Sequence, residues 1–128
     1  SGGSPPNYIM DDKLKQITME VNKKLNSNFN TILMNVYKCG DDCISFHKDN
    51  EKGWVEKTGF ATLSFGAERD FQVRHAETKE TKTILHEHGL CLYMKYPMND
   101  TYLHGVPKRK RVIGTRISLT FREIKEGV

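Results

Sequence analysis

The sequence has 128 residues, 37% of them hydrophobic, which suits one domain with a single modest core. No apolar run approaches the ~20 residues that span a membrane, and the N-terminus "SGGSPP" lacks the basic and apolar regions of a secretory signal. We therefore expect an intracellular protein, cytoplasmic or nuclear, that is neither secreted nor bound to a membrane. A net charge of +4, from 20 basic and 16 acidic residues, is too small by itself to identify a partner.

The N-terminal region contains one helix. Residues 1–4, "SGGS", are interpreted as a cloning scar or linker, and residues 5–128 as a single domain, either compact in itself or excised from a longer chain. In "DDKLKQITMEVNKKLN", Leu14, Ile17 and Val21 follow helical spacing, and Asp11 or Asp12 supplies an N-cap. No other segment predicts a helix.

The chain after Asn26 consists of short segments rich in β-branched and aromatic residues, separated by turn-like or charged stretches. This pattern predicts a mainly β fold, a sandwich or barrel, with the helix packed on the outside. The six predicted strands are "TILMNVYK", "TGFATLSFG", "RDFQVRH", "TKTILHE", "LCLYMKY" and "TRISLTFRE".

Three cysteines, Cys39, Cys43 and Cys91, are an odd number and do not suggest a disulfide framework. Cys39 and Cys43 have the spacing of half a zinc site, but no second pair completes it. We therefore interpret the three cysteines as reduced thiols of a protein in a reducing compartment.

The stretch "SFHKDNE" places His47 and Asp49 two residues apart in a region that reads as extended, so both side chains point to the same side. An imidazole and a carboxylate are two thirds of the facial triad that holds non-haem Fe(II). Among the other histidines, His104 in "TYLHGVP" follows a strand-like run and precedes Arg116 by twelve residues (116 − 104). The ordered set His-x-Asp, His, Arg-x-Ser-x-x-x-Arg is hard to produce by chance.

The last predicted strand alternates apolar and polar residues. Its polar face is either solvated or directed inward, where Arg116 and Arg122, roughly 20 Å apart along the strand, would leave a gap suited to a small diacid. Asn35 and Tyr37 in "NVY" form a similar pair on one strand face, and both have tips that can hydrogen-bond an acid.

The basic tract, Lys108 to Arg111 in "PKRKR", has four consecutive cations. It is either a solvated loop or a patch that contacts phosphates.

Together, "NVY", "HKDNE", "SFGAERDFQVRH", "TYLHGVP" and "RISLTFR" resemble the AlkB family of Fe(II)- and 2-oxoglutarate-dependent dioxygenases. The resemblance runs from Asn35 to Arg122 and implies a double-stranded β-helix, or jelly-roll barrel. It implies that His47, Asp49 and His104 are iron ligands. It implies a cosubstrate site in which Arg116 pairs with the far carboxylate of 2-oxoglutarate, Tyr37 and Ser118 lie beside it, and Asn35 and Arg122 lie near the end that chelates iron.

The resemblance further implies oxidative demethylation of N-methylated bases in DNA or RNA with Fe(II), 2-oxoglutarate and O2, releasing formaldehyde, succinate and CO2. The short region before "NVY" leads us to expect a catalytic core without a base-flipping lid, acting on single strands. We also expect a monomer. Alternatives are an oxygenase that hydroxylates protein side chains and a non-catalytic nucleic-acid-binding barrel. Trp54 and Tyr102 are candidates for stacking on the target base. Expected substrate contacts are Glu51, which would face the base, and Arg69, Arg74, Lys108, Arg109, Lys110 and Arg111.

Overall fold

Two four-stranded antiparallel sheets and a helix on their outside make up the computed structural model, which describes residues 11–126. The expected mainly β fold with a flanking helix is confirmed. In chain order the elements are α1 (Asp12–Leu25), β1 (Thr31–Tyr37), β2 (Ile44–His47), β3 (Phe60–Gly66), β4 (Arg69–His75), β5 (Thr81–His86), β6 (Cys91–Met94), α2 (Met98–Thr101), β7 (Tyr102–Val106) and β8 (Arg116–Arg122).

Helix α1 has the position that its sequence predicts. The Asp11 carboxylate accepts a hydrogen bond from the Leu14 amide at 2.8 Å, which caps the first turn, and Asn26 ends the helix in a left-handed conformation. Its apolar face packs on the outer face of β1, β3 and β8, where it covers a cluster that includes Ile32, Leu119 and Phe121. Neither helix within residues 11–126 is long and apolar enough to cross a membrane.

The strand order is that of a jelly roll. One sheet runs β1-β8-β3-β6 and the other β2-β7-β4-β5, so neighbouring strands are mostly distant in sequence. Within residues 11–126 no strand pairing joins the two sheets, and the barrel is therefore not closed. The core between the sheets is aromatic and aliphatic, and its buried members are Tyr37, Trp54, Phe60, Phe71, Val73, Met94 and Val106.

The structure extends the sequence prediction in three places. Strands β2 and β7, recognised only as extended or strand-like, are short strands of the second sheet. Helix α2 was not predicted, because four residues provide no helical period. The "SGGS" segment lies outside the described residues.

Strand β8 decides between the two interpretations of its polar face. Arg116 is 1% exposed, and Ser118 and Thr120 are also buried, so a solvated polar face is wrong. Because the second sheet covers this side of β8 while α1 covers part of the other, both faces of the strand are interior. Its polar residues therefore line a cavity between the sheets.

Candidate metal centre

The two histidines singled out from the sequence face each other across neighbouring strands. His47 at the end of β2 is registered against His104 in β7, and their ring centroids are 4.4 Å apart. Asp49 follows β2 directly, and its Oδ1 lies 3.4 Å from His47 Nε2 and 3.2 Å from His104 Nε2. One ligand atom from each of the three residues lies within 4.8 Å of the others, so this group could hold a metal ion.

The Asp49 carboxylate is ionised, as a metal ligand must be. Burial alone would raise the pKa of Asp49, but hydrogen bonds from His104 and His47 and the charge of Arg122 outweigh it and hold that pKa far below its usual range. The hydrogen bond with Asp49 raises the pKa of His47. His47 Nδ1 donates to the Ser45 carbonyl at 2.8 Å, so Nε2, which faces Asp49, is the nitrogen that a metal would bind after displacing its proton. The donor set, two imidazoles and one ionised carboxylate, is that of a non-haem Fe(II) site.

Arg122, at the end of β8, contacts the Asp49 carboxylate of the cluster. Its Nη2 donates to Asp49 Oδ2 at 2.7 Å, and its guanidinium lies 5.4 Å from the centre of the Trp54 ring. The buried Nε of Arg122 has no hydrogen-bond partner. The structure thus places Arg122 at the metal end of the cavity.

The other end of the cavity contains Arg116. Antiparallel pairing of β1 with β8 sets Tyr37 opposite Arg116 and Asn35 opposite Ser118, so the two polar pairs noted in the sequence come together. The Arg116 guanidinium lies 4.8 Å from the Tyr37 ring centre, and its buried Nη1 has no hydrogen-bond partner. Among residues 11–126 no carboxylate pairs with Arg116. A buried cation without a counter-charge fits an anionic ligand such as a dicarboxylate.

Asn99 in α2 is a site residue for which no sequence pattern provides a signal. Its side-chain oxygen accepts from the Asp49 amide at 3.0 Å, and its Nδ2 donates to the Asp49 carbonyl at 3.1 Å and to Glu51 Oε2 at 2.6 Å. Asn99 is buried and 48 residues from Glu51 in sequence. It fixes the turn that carries both carboxylates, and no short-range spacing could have indicated it.

Most of the residues expected to contact substrate lie at the surface. Glu51, Lys108, Lys110 and Arg111 are exposed. Arg109 is partly neutralised by an ion pair with Asp70 at 2.7 Å. Arg74 is half-buried: its guanidinium lies 4.0 Å from the Phe46 ring centre and its Nε donates to Thr81.

Arg69 is the exception, and its expected contact with substrate is wrong. It is 1% exposed, and its guanidinium donates to the carbonyls of Cys39, Gly40, Asp42 and Pro107 at 2.7 to 3.4 Å. A side chain enclosed in this way cannot reach a phosphate. It instead joins the loop before β2 to the loop of the basic tract.

The proposed stacking role of Trp54 is also wrong, because Trp54 is 5% exposed and packs edge-on against Phe60 in the core. Tyr102 is partly buried against the same core and lies edge-on to His75.

A family model and two groups of curated proteins are similar to this chain. A family model described as the 2OG-Fe(II) oxygenase superfamily matches residues 7–122. The DNA oxidative demethylase ALKBH2 of Homo sapiens is 35% identical over 119 residues, which covers 87% of this chain and 46% of that protein. The protein of the same name from Arabidopsis thaliana is 33% identical, covering 95% of this chain and 47% of that one.

A second group of relatives is more distant. The alpha-ketoglutarate-dependent dioxygenase alkB homolog 3 of Homo sapiens is 28% identical, covering 93% of this chain and 45% of that protein. The chain therefore spans less than half the length of each of these three relatives. Among solved structures, "The structure of OsALKBH1" superposes with a TM-score of 0.57 at 15% identity, covering 89% of this chain and 62% of that chain, which supports the fold. The chain belongs to the 2OG-Fe(II) oxygenase superfamily and, within it, to the AlkB family.

Proposed function

We propose that this chain is a catalytic domain that oxidatively removes methyl groups from N-methylated bases of DNA or RNA, with unpaired bases as its substrates. Its superfamily uses Fe(II), 2-oxoglutarate and O2. One observation supports the proposal most directly. The cavity that contains the His-Asp-His cluster is also lined by Arg116 and Arg122, and each has a buried N–H group without a hydrogen-bond partner.

The iron ligands would be His47, Asp49 and His104. When bound, Fe(II) with 2-oxoglutarate and O2 supplies the oxidation, whose products are formaldehyde, the bare base, succinate and CO2. The protein's own part is to hold and orient the reactants and to exclude water. Asn99 supports this role by fixing the backbone of Asp49 through two hydrogen bonds.

The cosubstrate would lie between the two ends of β8. Arg116 would bind its far carboxylate, beside Tyr37 and Ser118, and Asn35 and Arg122 would lie near the metal end. The uncompensated charge of Arg116 and its unpaired Nη1 support this orientation, because a dicarboxylate would satisfy both. Burial lowers the pKa of Arg116, while the adjacent Tyr37 opposes that shift, so the guanidinium remains charged.

The substrate side would be the rim near Glu51. Its carboxylate is exposed, held at one oxygen by Asn99, and only two residues from a metal ligand. A methyl group on the pairing edge of a base can reach such a site only if the base is unpaired, in a single strand or flipped out of a duplex. Arg74 and the cations of the basic tract would contact the phosphate backbone.

We infer an intracellular monomer, cytoplasmic or nuclear. The three cysteines are free thiols, which suits a reducing compartment.

The test measures succinate and formaldehyde together, with Fe(II), 2-oxoglutarate and O2 present. Matched oligonucleotides with and without 1-methyladenine or 3-methylcytosine are compared with peptides. Formaldehyde and succinate in equal amounts from methylated oligonucleotide alone would support demethylation. Succinate coupled to peptide oxidation would indicate a protein hydroxylase, and oligonucleotide binding without either product would indicate a non-catalytic barrel.

A further inference from the structure

His86, the last residue of β5, is fully buried and hydrogen-bonded at both ring nitrogens. Its Nε2 lies 2.8 Å from the Leu90 carbonyl oxygen, and its Nδ1 lies 2.7 Å from Nη2 of Arg116. A carbonyl can only accept and a guanidinium can only donate, so Nε2 carries the hydrogen and Nδ1 is an acceptor. The tautomer is therefore fixed by the structure, and the ring is neutral.

The electrostatics agree with a neutral ring. Burial, followed by the charge of Arg116, lowers the pKa of His86 to about 4. Tyr37 from β1, Arg116 from β8 and Arg69 from β4, which is registered opposite His86, are titratable groups near this end of the cavity, and burial raises the pKa of Tyr37. Near neutral pH the imidazole thus brings no charge of its own.

The contacts of Arg116 show what His86 contributes. The Nε of Arg116 donates to Ser64 Oγ at 2.8 Å and its Nη2 donates to His86, whereas its buried Nη1 has no partner. Both partners are neutral acceptors. The guanidinium is consequently held in one orientation while its positive charge is left uncancelled, and an unpaired N–H remains.

We propose that His86 is a positioning residue for the cosubstrate: it fixes the Arg116 guanidinium so that Nη1 and the full charge are available to the far carboxylate of 2-oxoglutarate. This inference rests on the proposed function. A carboxylate at position 86 would form an ion pair with Arg116 and compete with the ligand. An apolar side chain at position 86 would leave Nη2 of Arg116 buried without an acceptor, and the guanidinium would no longer be held in one orientation.

The consequence is a selectivity for 2-oxo diacids over 2-oxo monoacids. Pyruvate shares the metal-binding 2-oxo acid group of 2-oxoglutarate but lacks the second carboxylate. The ratio of the two dissociation constants therefore reports the Arg116 end of the cavity and cancels changes at the metal end.

The experiment titrates 2-oxoglutarate and pyruvate separately into the Mn(II)-loaded protein without O2, near neutral pH, by calorimetry. Two substitutions separate the two hydrogen bonds of the ring. His86→Asn keeps an acceptor atom at the position of Nδ1 but loses the donor to Leu90. His86→Gln keeps a donor that reaches toward Leu90 but loses the acceptor for Arg116. Arg116→Ala serves as the reference for complete loss of the diacid contact.

We expect His86→Gln to lower the preference for 2-oxoglutarate over pyruvate about tenfold or more, and His86→Asn to retain it within about threefold. Pyruvate affinity should stay unchanged in both, which also shows that each variant is folded. Equal preference in parent and His86→Gln, or equal loss of both ligands in both variants, would overturn the positioning role. If Arg116→Ala also left the preference unchanged, the cosubstrate pocket of the proposed function would be wrong and the inference with it. A loss with Arg116→Ala but none with His86→Gln would reject the inference alone.

Discussion

Asp49 is the residue at which the metal cluster and the cavity meet, because one of its oxygens faces two histidines and the other accepts from Arg122. Replacing it by Asn keeps its volume but removes the charge that both sets of contacts need. We expect Asp49→Asn to lose bound iron and turnover. Metal analysis after reconstitution checks this, with the exposed Asp41→Asn as the matched control.

The histidines provide an independent check of the same site. A His47→Ala/His104→Ala double variant should bind less iron than the parent protein, since only one of the three proposed ligands remains. Undiminished iron in this variant would show that the metal lies elsewhere.

A further prediction at the scale of single residues concerns the charge of Glu51. In 1-methyladenine and 3-methylcytosine the ring is cationic, whereas in N6-methyladenine it is neutral, so an ionised carboxylate at the rim favours the first two. We expect Glu51→Gln to lower the rate ratio of cationic to neutral lesions, because Gln keeps the size and removes the charge. Formaldehyde release from matched single-stranded oligonucleotides measures the ratio. An unchanged ratio would remove Glu51 from the substrate site; Glu20→Gln, on the exposed side of α1, is the control.

At the scale of elements, the buried side chain of Arg69 in β4 attaches the loop of the basic tract to the second sheet. Arg69 donates to the carbonyls of this loop and of the loop before β2, and a Cβ at Gly40 would overlap the carbonyl oxygen of Arg109. The cations of the tract are therefore presented from a fixed backbone. All four are exposed, but only Arg109 forms an ion pair among the described residues, with Asp70.

This difference within the tract makes a prediction about salt dependence. Removing the cation that binds one phosphate of a single strand lowers the slope of log affinity against log salt by about 0.7. Lys108→Gln, Lys110→Gln and Arg111→Gln should each weaken binding of all sequences alike and flatten that slope. Arg109→Gln should change it less, since its charge is already partly cancelled. Fluorescence anisotropy over a salt series measures both effects, with Lys23→Gln in α1 as the control; slopes unaffected by all four variants would exclude the tract from the interface.

The elements also show how far the sequence alone predicts this fold and site. Helix α1 and six strands follow from local periodicity, and the ligand pair His47 and Asp49 follows from alternation along one extended segment. The pairing of His47 with His104 and of Tyr37 with Arg116 depends on strands distant in the chain, and here the family resemblance supplied what periodicity could not. Asn99, His86 and the enclosure of Arg69 were not predictable, because each depends on contacts made only after the sheets have packed.

For the whole molecule, the interior charges determine how stability depends on pH. His86 has an ordinary pKa of 6.5 in the unfolded chain and about 4 in the folded protein. Between these values the unfolded chain binds a proton at His86 that the folded protein does not, so stability falls as pH falls from 6.5 toward 4. His47 acts in the opposite direction, because its folded pKa is raised and its contribution is present at low pH and lost as pH rises.

A comparison of the parent protein with His86→Asn isolates the contribution of His86, since both chains share every other titrating group. The part of this linkage that falls between about pH 7 and about pH 4.5 corresponds to about 2–3 kcal/mol. We expect the metal-free parent to lose about that much more unfolding free energy than His86→Asn between about pH 7 and about pH 4.5. Urea denaturation at each pH, with a chelator present, measures the difference. Parallel curves for the two chains would mean that His86 titrates normally in the folded protein, and would contradict a neutral buried ring beside Arg116.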